Sequence, residues 1–145
     1  RKLRDGDFDA IVLAQAGIAR LEADLTGLHV RTIPFDIMLP APAQGAIAVQ
    51  IRDNDEEAAA AVEPLDNAPT RRAVEAERAF LSGFGGGCHI PLGAYASAED
   101  GAVTIEGAVL SPDGTRMIRE KLSGDDSGKT GRALAELIRS QGGFQ

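Results

Sequence analysis

The chain is predicted to combine an α/β segment with a following α+β segment, and three observations carry that expectation. FDAIVLAQAG, residues 8–17, is a near-continuous apolar run of the kind found in a strand buried on both faces of a parallel sheet. A glycine run at residues 85–87 separates a helical pattern from three short extended segments at residues 90–97, 103–110 and 117–122. Glu99-Asp100-Gly101 and Pro112-Asp113-Gly114 supply turns between those segments, so they are expected to pair as a three-stranded antiparallel sheet.

Taken in order, Asp5-Gly6-Asp7 is a turn ahead of the first strand, and residues 18–25 have helical character. Residues 14–17 would then mark the C-terminal end of the strand, where ligands sit in open α/β sheets, with Arg20 in the first turn after it. Pro34, Pro40 and Pro42 forbid a long helix and favour extended crossing segments between domains. GAIAVQI, residues 45–51, suits a further strand. Asn54 with Glu57 forms a possible capping box for a helix over residues 58–62, which Pro64 ends.

Asn67 is expected to cap the next helix, with Pro69 in its first turn and Val74, Phe80 and Leu81 near one face. A last helix over residues 130–140 presents Leu134, Leu137 and Ile138 as a stripe that would cover the sheet, and it stops at Gly142-Gly143.

Composition bounds the function. An apolar fraction of 43% over 145 residues is enough to build a core. No run approaches the ~18 apolar residues of a membrane span, and no leader pattern opens the chain, so a cytoplasmic location away from membranes is expected. His29 and His89 are the only histidines and Cys88 the only cysteine, which offers no zinc-ligand spacing and no internal disulfide. The net charge of -7, with 15 scattered basic residues, disfavours nucleic acid. The chain starts at Arg1 inside what reads as the end of a helix, so it is expected to be a piece of a longer protein.

Three places offer chemistry. Cys88 follows three glycines and precedes His-Ile-Pro, so its thiol is presented by a backbone that a bulky group can approach closely. A lone cysteine is also commonly a small buried hydrophobe, which leaves open a noncatalytic small-molecule-binding module with a structural Cys88. A thiol hydrolase using Cys88 with His89 ranks last, because adjacent residues in an extended segment point to opposite sides. Arg20 in a helix-opening turn would grip a carboxylate beside the positive end of the helix dipole, or would simply be a solvated charge. Gln44-Gly45 would offer an amide and a bare backbone N–H.

LSGFGGGCHIPLG, residues 81–93, resembles the cofactor-attachment loop of the porphobilinogen deaminases, typically a glycine run, cysteine and Gln-Val-Pro-Ile-Gly. The resemblance continues through KLRDGDFDAIVLAQAGIARL at residues 2–21, LPAPAQGAIAVQ at residues 39–50 and RRAVEAERAFL at residues 71–81, so it spans nearly the whole chain in family order. Ala43 stands where that pattern has glycine, and His89 where it has glutamine.

The resemblance implies a fold: the end of a periplasmic-binding-protein-like α/β two-domain unit and a small C-terminal domain holding the antiparallel sheet and helices. Residues 1–40 would finish the second α/β domain, residues 41–66 cross back into the first, and residues 67–145 form the cofactor-anchoring domain. It also implies a tetrapyrrole-biosynthesis transferase that condenses four porphobilinogen units, releasing ammonia and hydroxymethylbilane. Cys88 would hold a covalent dipyrromethane through a thioether, with Arg20, Gln44, Gly45, Leu13 and Ala14 as its further contacts. The segment carrying the catalytic aspartate is absent, so no catalytic residue is assigned here, and no metal is implied. The parent protein would be a monomer.

Overall fold

A computed structural model of the chain describes residues 1–85 and 90–142, which fall into two units, Arg1–Ile37 and Met38–Gln145. The first unit holds one short helix, α1 (Gln15–Arg20), and is otherwise turns and irregular backbone. No strand forms among its described residues, so the strand expected over residues 8–17 is absent, and Phe8, Ile11, Val12 and Leu13 stand exposed. A strand is a pairing, and no neighbouring segment supplies the hydrogen bonds that would turn this apolar run into one. The helix also begins and ends earlier than the expected residues 18–25. Arg4 holds the loop after it, donating to the carbonyls of Asp24 and Thr26 at 3.0 and 3.1 Å.

The second unit begins with an irregular segment. Residues 45–51, expected to form a strand, lie outside regular structure for the same want of a partner. The next helix, α2 (Glu56–Val62), is capped by Asp55, whose carboxylate accepts from the Ala58 amide at 3.1 Å. Asn54, expected as the cap, instead takes a left-handed φ of 62°, a conformation asparagine tolerates, and so delivers Asp55 to the capping position. A 3₁₀ turn over Glu63–Leu65, with Pro64 in it, closes the segment.

Asn67 caps α3 (Ala68–Ser82) as expected, its side chain accepting from the Thr70 amide at 2.9 Å. The buried face is set by Ala76, Glu77 and Phe80, with Ala73 packed beside them. Val74 and Leu81 are only half-buried, so the stripe turns away from the expected one. Phe80 is fully buried, which contributes about 2–3 kcal/mol.

Three strands follow, β1 (Leu92–Glu99), β2 (Ala102–Leu110) and β3 (Met117–Gly124), antiparallel in the order β1-β2-β3. The first hairpin closes through Asp100-Gly101, both with positive φ, the geometry of a two-residue turn that matches strand twist. The second closes around Asp113, whose carboxylate gathers the Ser111 and Thr115 hydroxyls and the Thr115 amide.

The last helix, α4 (Ser127–Ser140), starts one turn earlier than expected because Asp126 caps it, accepting from the Lys129 amide at 2.7 Å. Leu134, Ala135 and Ile138 are buried while Leu137 is 37% exposed, so Ala135 takes the place in the stripe expected of Leu137. Together α3 and α4 pack on one face of the sheet, around a core of Phe80, Val103, Ile105, Val109, Leu134 and Ile138. Among the described residues no helix is long and apolar enough to cross a membrane.

Candidate functional site

Cys88 and His89 lie outside the described residues; what the structure places is the two ends between which they run. On one side α3 ends at Ser82, and Gly83 caps it, its amide donating hydrogen bonds to the carbonyls of Ala79 and Phe80. Phe84 then packs edge-on to Phe80, ring centres 5.3 Å apart at 69°. On the other side Ile90 is packed against the same core and leads directly into β1. Phe84 and Ile90, the described residues on either side, are thus both partly buried against one core.

Leu39 and Pro40, at the start of the second unit, meet this platform along the outer edge of β1. An edge strand presents every second N–H away from its neighbour, and here two of those outward amides are occupied. The Ala94 amide donates to the Pro40 carbonyl at 2.9 Å, and the Ala96 amide to Glu77 Oε1 at 2.7 Å. Gly93 makes the approach possible: a Cβ there would stand 2.8 Å from the Leu39 carbonyl oxygen and 2.9 Å from its Cβ. Leu39 is buried at this seam.

Gln44 and Gly45 sit in the turn that follows. The Gln44 amide donates to the Ala41 carbonyl at 2.9 Å and the Ala46 amide to the Ala43 carbonyl at 3.3 Å, which leaves both Gln44 and Gly45 exposed. Ala43 carries a φ of 64°, in the region that favours glycine, and its own amide donates to Glu77 Oε2 at 2.5 Å. Glu77 is 7% exposed, and burial pushes its carboxyl above its ordinary value, an upward shift that the two backbone amides only partly offset.

Sequence reasoning missed Glu77. The one hint is its spacing, one turn after Ala73 and three residues before Phe80, which puts a charge on the apolar face of the helix without showing what it would serve there.

In the first unit, Ala14 caps α1 by position and accepts from the Gly17 and Ile18 amides at 3.0 and 3.3 Å. Leu13 precedes it and is 60% exposed, open for an apolar contact. Arg20 is exposed in the last turn of α1, so it stands at the negative end of a short helix and not beside the positive end expected. No hydrogen bond or ion pair engages it among the described residues. Arg20 is therefore a cation whose donors are available to a carboxylate.

The comparisons with known proteins fall on both units. Residues 1–60 match the family model described as porphobilinogen deaminase, dipyromethane cofactor binding domain, and residues 71–140 match porphobilinogen deaminase, C-terminal domain. The chain is 45% identical over 143 residues to the porphobilinogen deaminase of Brevibacillus brevis, covering 98% of this chain and 46% of that protein. It is 44% identical over 145 residues to that of a Roseiflexus species, covering 99% and 47%, and 41% identical over 145 residues to that of Nitrosomonas europaea, covering 98% and 46%. The chain thus spans about half the length of these relatives. With two models of one family matched in succession, and relatives similar along almost the whole chain, this chain belongs to the porphobilinogen deaminase family.

Proposed function

We propose that the chain is the C-terminal part of a transferase of tetrapyrrole biosynthesis that condenses four porphobilinogen units, with loss of ammonia, and releases hydroxymethylbilane. The observation that carries this reading is the lone cysteine in a glycine loop, flanked by Phe84 and Ile90 in one core, in a chain that matches both family models. On this reading Cys88 holds a dipyrromethane through a thioether. When bound, that group supplies the pyrrole carbon to which substrate units are joined.

The donor set fits such a group. Acetate and propionate side chains need cations and N–H donors from a protein of net charge -7, and Arg20 offers a guanidinium that nothing else engages among the described residues. Gln44 offers a side-chain amide at an exposed turn, and Gly45 a backbone free of any side chain. Leu13 and Ala14 offer an exposed apolar surface suited to a pyrrole ring. Their roles are to bind and orient; the proton-transferring aspartate would come from the other half of the parent protein.

The same reading divides the chain into residues 1–40 as the end of the second α/β domain of a periplasmic-binding-protein-like pair, residues 41–66 as a return into the first, and residues 67–145 as the anchoring domain. The parent is proposed to act in the cytoplasm as a monomer on porphobilinogen, without nucleic acid or membrane as partner. Intact mass of the denatured full-length protein, followed by peptide mapping, tests it. An adduct of dipyrrole size on Cys88 is expected. A bare thiol that alkylates readily in the folded protein would overturn the reading.

A further inference from the structure

Glu77 is a buried carboxylate that none of the roles above uses, and its two oxygens reach two different parts of the second unit. Oε2 accepts from the Ala43 amide at 2.5 Å and Oε1 from the Ala96 amide at 2.7 Å. Ala43 immediately precedes Gln44-Gly45, Ala96 lies in the strand that leaves the Cys88 loop, and Glu77 itself lies in the helix that enters it. The Pro40 carbonyl on the Ala94 amide, and the Leu39 backbone against Gly93, extend the same seam.

We propose that Glu77 is a positioning residue for the cofactor site: it fixes the Gln44-Gly45 turn in register with both flanks of the Cys88 loop. Two backbone amides converge on one carboxylate, so the turn and the strand cannot shift independently without leaving a buried charge or a buried N–H unsatisfied. Ala43 is held in a left-handed conformation by this arrangement, which aims the next two residues outward. The proposal rests on the reading of Cys88 as the anchor.

Two variants of the full-length protein test it by separate routes. Glu77→Gln keeps the size of the side chain but presents an NH₂ group to one of the two amides. Gly93→Ala leaves Glu77 intact and pushes Leu39 and Pro40 off the strand. Val103→Ala, in the core beside the Asp100-Gly101 turn, serves as a control for lost stability, and the urea midpoint of each purified variant shows whether it is at least as destabilised as the others. The readout is the fraction of chains carrying an adduct on Cys88, by intact mass of protein purified from cells. Glu77→Gln is expected to lower that fraction on the order of tenfold relative to Val103→Ala, the effect of one lost charge-assisted hydrogen bond, and Gly93→Ala to lower it below Val103→Ala by parting the Pro40 carbonyl from the Ala94 amide. Restoration toward the wild-type fraction by Glu77→Asp relative to Glu77→Gln would further support it. Control-like occupancy in either variant overturns the proposal, whereas wild-type protein without any adduct would sink the attachment reading itself.

Discussion

Gly131 of α4 lies against the backbone of Ala76 in α3: a Cβ built at Gly131 would stand 2.1 Å from the Ala76 carbonyl oxygen and 2.9 Å from the Ala79 Cβ. The two helices cross at backbone contact, and the close crossing lets both reach the sheet. A carbonyl inside a helix cannot rotate aside as a side chain can, so Gly131→Ala must part the helices. The expected cost is about 3 kcal/mol, at the upper end for an overpacked core. It would be read as a lowered urea midpoint in the full-length protein; a midpoint within error of wild type would show that the helices slide freely.

Ala43 offers a change in the opposite direction. A left-handed φ costs an alanine about 1–2 kcal/mol, and glycine there removes that strain while adding freedom to the unfolded chain worth about 0.4–1 kcal/mol. Ala43→Gly is therefore expected to raise stability by up to about 1 kcal/mol, and it retains the amide that donates to Glu77. The family pattern has glycine at this position, which fits the conformation the structure shows. Denaturant unfolding of the two proteins side by side measures the difference, and a loss of stability would mean that the turn relaxes around alanine.

Asp113 gives a pH dependence whose sign is fixed. The Ser111 hydroxyl, then the Thr115 amide and hydroxyl, donate to its carboxylate and lower its pKa from 3.8 to about 2. A carboxyl held lower in the folded state than in the unfolded one adds stability above pH 3.8, and that stability is lost as pH falls toward 2. The second hairpin should accordingly loosen between about pH 4 and pH 2. Asp113→Asn should flatten that part of the profile. Carboxyl NMR titration checks the premise directly, since a midpoint near the ordinary aspartate value would remove the cause.

The helices and sheet of the second unit were legible in the sequence because their signals are local. Asp100-Gly101 fixes one hairpin, Asn67 with Pro69 fixes the start of α3, and Leu134 with Ile138 marks the face of α4. Residues 8–17 and 45–51 show what local reading cannot supply. Their apolar character states what they would bury, but a strand exists only with a partner, and among the described residues none pairs with them. Glu77 was hidden for a different reason: a glutamate in a helix counts toward the solvent face unless the amides it serves are known, and those come from residues 34 positions before it and 19 after it. Of the expected site, the Gln44-Gly45 turn lies in the same unit as both flanks of the Cys88 loop. Arg20 ends its helix because α1 starts three residues sooner, and stops five residues sooner, than the pattern suggested.

Arg20 allows binding to be separated from folding. It is exposed and makes no hydrogen bond or ion pair among the described residues, so replacing it should leave the melting temperature of the full-length protein unchanged. If it grips a carboxylate of the cofactor or substrate, Arg20→Lys keeps the charge but loses the planar fork that pairs with two oxygens at once. One charge-assisted bond lost corresponds to a fall of roughly tenfold in kcat/KM for porphobilinogen. Arg132→Lys, an equally exposed change on α4, should leave kcat/KM as it was. Equal kcat/KM in the two variants would mean that Arg20 is an ordinary solvated charge, whereas a loss confined to Arg20→Lys, with melting unmoved, would place its guanidinium on the bound carboxylates.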